Sequence, residues 1–276
     1  MKRIYDWDAK FTQRNYTVDD LKALKGQRLI TQTNASSAEE AAAAQEAGID
    51  LIMGDPPNVA AVREGAPNMF LTAALALPDY PAETDVLRAA FNAMKDGADS
   101  VYTARPPHIV ELLAREEIPV MCHLGLVPRK STWRGGLRAI GKNAEEAMQL
   151  LNDFRTMENA GAFSVEAELI VSEVMSEISK RTVLLTSSLG SGNGSDIIHL
   201  FQSDIVGSTS TRPRHGRAFG NILKLQEEIR SERRKALTAY NKSVKDGTYP
   251  SEKEQVRMKE KELAKFLEKL EKHPSR

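Results

Sequence analysis

IPVMCHLGLVP, residues 118–128, is a buried-looking apolar run that ends on a histidine and then turns sharply through Leu-Gly-Leu-Val-Pro. A histidine that caps a core strand is either a satisfied packing residue or a group held at the rim of a sheet for chemistry. Which of the two His123 is depends on what surrounds this run.

Similar short runs recur along the chain: RLIT (28–31), DLIMG (50–54), MFLTAALAL (69–77), SVYTA (100–104), AFSVEAE (162–168), TVLLTSS (182–188) and DIVG (204–207). With IPVMCH (118–123) they make eight candidate strands. Helix-like stretches lie between them: Ser36-Ser37 precedes AEEAAAAQEAG, Glu83-Thr84 precedes DVLRAAFNAMKDG, and Asn143 precedes AEEAMQLLNDFRTMENAG. Each starts at capping residues and stops at a glycine, Gly48, Gly97 or Gly161. Strands alternating with helices imply parallel βαβ units, and near-continuous apolar strands imply that both faces are covered. The chain is therefore expected to be α/β, a (β/α)8 TIM barrel, with a doubly wound open sheet as the alternative.

In a barrel the chemistry gathers at the C-terminal ends of the strands. That rule places Asp55, Ala74, Tyr102, Ala104, His123, Glu168 and the glycine-rich loop after Ser188 around one mouth. The barrel and a short N-terminal segment account for residues 1–218. From 219 to 276 the pattern becomes charged and helical, with Val256, Leu263, Phe266, Leu267 and Leu270 near one stripe of the last helix. These C-terminal helices are expected to dock on the barrel or on a neighbouring subunit.

Composition narrows the function classes. The 276 residues, 41% hydrophobic, suffice for a large core, and 38 basic side chains cancel 38 acidic ones. No global field recruits nucleic acid or an anionic membrane, which leaves small-molecule chemistry or protein partners. The single cysteine, Cys122, rules out an intrachain disulfide. Charges interrupt MKRIYDWDAKF, and no segment approaches the roughly 20 apolar residues of a membrane span, so a cytoplasmic protein is expected.

Two local patterns point to chemistry. Ser164, Glu166 and Glu168 share parity, so a regular strand turns all three to one side; two glutamates facing a barrel interior are costly unless they serve a site. LTSSLGSGNGSD (185–196) can present backbone amides to a phosphate or carboxylate, as readily as it can form a plain turn. His108, His199, His215 and His273 lack metal-ligand spacing and read as loop or surface residues, and RPRHGR (212–217) reads as a loop lining or an anion contact. No P-loop, serine elbow or HExxH pattern occurs.

The opening stretch, followed by Arg134-Gly135-Gly136 and Gly141, resembles the ketopantoate hydroxymethyltransferase family. Similar stretches are Gly54-Asp55, REGAPN (63–68), MKDGADSV (94–101), AGAFSVEAE (160–168), GSGNGSD (190–196), SDIVG (203–207) and DGTYPSE (246–252), so that residues 28–252 align. The resemblance implies a (β/α)8 barrel of the phosphoenolpyruvate mutase and isocitrate lyase type and a high-order homo-oligomer. It implies that a hydroxymethyl group passes from methylenetetrahydrofolate to a small 2-oxo acid. A glutamate, here Glu168, acts as base, and His123 matches the active-site histidine.

The resemblance also implies a divalent ion such as Mg2+ held by carboxylates at three strand ends. This sequence supplies Asp55 as the first, but Ala74 and Ala104 stand at the other two. Tyr102 replaces a lysine, Pro56 a serine, and a substrate-loop segment is missing between Asp55 and Arg63. Arg105 is then the residue to hold a substrate carboxylate or enolate, with Asp79 as a substitute ligand and Gly190 and Gly192 as backbone contacts. The expected function is aldol or retro-aldol chemistry on a small 2-oxo acid or related carboxylate. The alternatives are a non-catalytic ligand-binding or assembly barrel, and a hydrolase or decarboxylase in a reshaped pocket.

Overall fold

In the computed structural model, which describes residues 1–273, an antiparallel hairpin of Lys2–Tyr5 (β1) and Phe11–Arg14 (β2) leads into the short helix Val18–Ala23 (α1). Eight parallel strands follow: Ile30–Asn34 (β3), Leu51–Gly54 (β4), Phe70–Leu75 (β5), Ser100–Thr103 (β6), Val120–Gly125 (β7), Ser164–Glu168 (β8), Leu185–Leu189 (β9) and Ile197–His199 (β10). They pair in sequence order, and β10 pairs with both β9 and β3, which closes the barrel. Between the strands run Ala38–Glu46 (α2), Val59–Gly65 (α3), Glu83–Lys95 (α4), Pro107–Arg115 (α5), Ala144–Asn159 (α6) and Ser172–Ser179 (α7), and Gln202–Ile205 (α8) follows β10. The expected (β/α)8 architecture is the one observed.

Local chemistry explains the helix starts. The Ser37 and Asn143 side chains accept from the amides of Glu40 and Glu146, satisfying donors that a first helical turn leaves free. Strand alternation then sorts side chains into two cores. Leu51, Met53, Phe70, Met121, Phe163, Leu185 and Ile197 fill the barrel interior. Ile52, Leu71, Val101, Val120, Cys122, Val165 and Ala167 pack outward among the helix residues.

Charges seal the N-terminal end of the barrel. Asp99, just before β6, accepts from Arg14 Nε at 2.8 Å, Arg63 Nη2 at 2.7 Å and the Leu71 amide at 2.9 Å. Asp50, just before β4, accepts from Tyr16, both terminal nitrogens of Arg28 and the backbone and side chain of Thr31.

Two expectations are corrected, the eighth strand and the extent of the last helical stripe. The eighth strand is Ile197–His199, whereas Asp204 to Gly207 is helix α8 and its turn. The Ile-Ile-His run supplies the β-branched residues that a buried strand favours, directly after the glycine-rich stretch ends at Asp196. The N-terminal segment forms a hairpin. Residues 221–273 belong to a second compact unit, with helices Ile222–Lys245 (α9) and Glu260–Glu271 (α10). Val256 lies before α10, outside its stripe, because the chain is not helical until Glu260. No helix among the described residues is long and apolar enough to cross a membrane.

Candidate functional site

Parity decides which side chains reach the mouth. On β7, Met121 points inward and Cys122 and Leu124 outward, so His123 points inward. On β8, Val165 and Ala167 point outward, so Glu166 and Glu168 face the interior, as their spacing predicted. Register brings the strands together, with His123 opposite Glu166 and Gly125 opposite Glu168. Gly125 has φ of +89°, and a Cβ there would lie 2.3 Å from the Glu168 carbonyl oxygen. Only glycine lets the turn of HLGL pass that close, and the Leu126 amide donates to the same oxygen at 2.8 Å.

The end of β8 is held from the other side by β9. Ser191 Oγ donates to the Ala167 carbonyl at 2.7 Å and accepts from the Ile170 amide at 2.8 Å, bracketing Glu168. Leu169, next to Glu168, adopts φ of +49°, a left-handed conformation unusual for leucine and typical of backbone bent around a site. The glycine-rich loop therefore acts on Glu168 through the backbone. Gly190 packs against His215 and Leu169, and Gly192 against Ser172; neither lines the cavity.

The cavity at the mouth has a volume of about 350 Å³. Asp55, Ala74, Tyr102, Ala104, His123 and Glu168 all line it, together with two residues outside that set, Glu166 and His199. His199, expected on a loop or the surface, is buried on β10, with 1% of its side chain exposed, and its Nδ1 lies 2.8 Å from Glu166 Oε2. The signal was the Ile-Ile-His run, masked by the misplaced eighth strand. Arg105 turns its guanidinium to the carbonyls of Leu77 and Tyr80 and lines an adjoining cavity with Lys130, which shares His123. Asp79 is exposed and lies outside the lining.

Five side chains, Tyr102, His123, Glu166, Glu168 and His199, form one network at the mouth. Tyr102 Oη and His123 Nδ1 are 2.5 Å apart, His123 Nε2 is 3.3 Å from Glu168 Oε2, and His123 Nδ1 is 3.9 Å from Glu166 Oε1. Burial, reinforced by the charge of Glu166, pushes the Tyr102 phenol well above its ordinary value, so it keeps its proton. Burial opposes ionisation of Glu166, but the hydrogen bond and charge of His199 outweigh it and hold the carboxyl below the usual range. The phenol and Nδ1 share one hydrogen bond, which leaves Nε2 of the ring facing Glu168.

The strand ends that the resemblance assigns to Mg2+ do not fit that ion. Asp55 is the only carboxylate there, and Ala74 and Ala104 present methyl groups to the cavity, whereas Mg2+ requires an octahedron of oxygens. The donor atoms that do converge belong to His123, Glu166 and Glu168.

The closed barrel, with its titratable side chains at the C-terminal strand ends, defines the class: a (β/α)8 barrel with a candidate site at its mouth. Among solved structures, 2,3-dimethylmalate lyase, described as a member of the phosphoenolpyruvate mutase/isocitrate lyase superfamily, superposes with a TM-score of 0.51 at 14% identity, covering 87% of this chain and 92% of that one, a likeness of fold alone. The family is fixed by sequence. The family model described as ketopantoate hydroxymethyltransferase matches residues 57–252. The 3-methyl-2-oxobutanoate hydroxymethyltransferase of Thermotoga neapolitana is 33% identical over 261 residues, covering 85% of this chain and 94% of that protein. That of Thermus thermophilus is 30% identical over 262 residues, covering 86% and 97%. The chain belongs to the ketopantoate hydroxymethyltransferase family.

Proposed function

We propose that the barrel mouth performs enolate chemistry on a small 2-oxo acid, making or breaking a C–C bond. The observation that carries this reading is the approach of His123 Nε2 to Glu168 Oε2, 3.3 Å, at the C-terminal ends of adjacent strands. In this mechanism a Glu168 oxygen removes a proton from C3 of the 2-oxo acid. The C–H electrons form the C2=C3 bond, and charge develops on the C2 oxygen. His123, oriented by Tyr102, donates Nε2–H to that oxygen once substrate enters. The enolate carbon then attacks an electrophile or, in reverse, departs from one; methylenetetrahydrofolate supplies that electrophile as a substrate if the family reaction is kept.

Loss of C3 proton signal from 3-methyl-2-oxobutanoate in D2O, followed by proton NMR with and without Mg2+, tests the first step alone. Exchange independent of Mg2+ is expected, and Glu168→Gln should abolish it while substrate still binds. Undiminished exchange in that variant would remove Glu168 from the role of base. The alanines at 74 and 104 favour a second reading, a non-catalytic ligand-binding barrel; binding of the 2-oxo acid without exchange would select it.

A further inference from the structure

We propose that His123, Glu166 and Glu168 form a site for a divalent transition-metal ion of the Zn2+ class, and that such an ion excludes proton abstraction by Glu168. The exclusion rests on the enolate reading above; the binding does not.

The three residues offer one imidazole nitrogen and two carboxylate oxygens, all within 4.8 Å of one another. A tetrahedral ion with ligands at about 2.1 Å separates them by about 3.4 Å, so small rotations of the carboxyl groups close the set. Strands β7 and β8 are hydrogen-bonded neighbours, and their register places all three donors on one face. The cluster is thus part of the barrel wall.

Two further observations point to a cation. His123 Nε2 is buried with no hydrogen-bond partner, and its side chain is 3% exposed. The 3.3 Å approach to Glu168 lacks the alignment of a hydrogen bond, which leaves a buried nitrogen without a partner beside that carboxylate, while Glu166 lies 3.9 Å from the other ring nitrogen. Among the described residues, no lysine or arginine forms an ion pair with Glu166 or Glu168; their only ion-pair partners are His123 and His199. Two carboxylates side by side with imidazole partners match the charge of a dication.

The surrounding groups suit such a site. His199 Nδ1–H donates to Glu166 Oε2 and fixes that carboxylate. A phenol accepts as well as donates, so the Tyr102 contact also supports the tautomer with the proton on Nδ1, which frees the Nε2 lone pair for a metal. One nitrogen and two oxygens favour Zn2+, Co2+ or Mn2+ over Mg2+, and three protein ligands leave a position open towards the cavity. A Glu168 oxygen bound to the ion is no longer a free base.

The test is calorimetric titration of chelator-treated full-length protein with ZnCl2, CoCl2 and MgCl2, with the visible absorption of bound Co2+ reporting its coordination. One Zn2+ per chain is expected, Mg2+ should not compete, and Glu166→Gln and His123→Asn should each weaken Zn2+ by about tenfold or more. His199→Asn should weaken it less and keep the Co2+ spectrum. Unchanged affinity in both ligand variants, or no saturable Zn2+ binding to the unsubstituted protein, would overturn the site. Proton exchange unaffected by saturating Zn2+ would overturn the exclusion, whereas absence of exchange from the ion-free protein would count against the enolate reading, leaving the titration to decide the site.

Discussion

Tyr102 Oη lies 2.5 Å from His123 Nδ1, so the phenol on β6 is hydrogen-bonded to the histidine on β7 that faces the barrel mouth. The phenol anchors Nδ1 of the ring and so aims Nε2 towards Glu168. Tyr102→Phe keeps the ring and removes the hydroxyl. It is expected to slow C3 proton exchange about ten- to a hundredfold, matching the ~1–3 kcal/mol of a buried polar group left unsatisfied. Full exchange rates in the variant would show that His123 is oriented by its strand alone.

At the other end of the barrel, Asp99 serves two buried guanidiniums, Arg14 and Arg63. Burial pulls Arg63 down to about 10 even with Asp99 beside it, a sign of how poorly solvated the cluster is. Asp99→Ala strands both arginines and frees the Leu71 amide, and it should cost about 3–5 kcal/mol. Urea denaturation monitored by circular dichroism measures this; a loss under 1 kcal/mol would mean that water replaces the carboxylate.

The acid side of the stability profile should depend on Asp50. Burial works to raise its pKa, but Arg28, the Thr31 amide and Tyr16 overcome that and hold it at about 2. A carboxyl depressed in the folded state contributes stability above its unfolded value near 4, which is lost as pH falls towards 2. Asp50→Asn should therefore be less stable by ~2 kcal/mol at neutral pH, with the difference shrinking between about pH 4 and pH 2. Thermal unfolding of both proteins across that window checks the sign, and a gap that stays constant would disprove the linkage.

Cys122 faces outward from β7 into the helix layer and is fully buried, and burial pushes its thiol far above the ordinary range. The native protein should leave Ellman's reagent unreacted and release one thiol per chain in denaturant. Rapid reaction under native conditions would reveal opening of β7 against its helices.

What the sequence determined by itself was whatever short-range pattern encodes. Helix α2 at Ser37 and helix α6 at Asn143 start where their caps predicted, and seven of the eight expected strands overlap strands of the barrel. Alternation on β8 showed that Glu166 and Glu168 share a side, whereas the run ending at His123 left a packing residue and a site residue open until the family resemblance was read. These features rest on capping, periodicity and turn chemistry, which a linear chain displays. The tertiary structure alone decided that β10 is Ile197–His199 and that its histidine meets Glu166, 33 residues away in sequence. It alone set Tyr102 against His123, turned Arg105 to backbone carbonyls and gave Ser191 the end of β8 to hold. Barrel closure and strand register bring together residues that no local pattern relates, and at those meetings a lone histidine becomes part of a buried network.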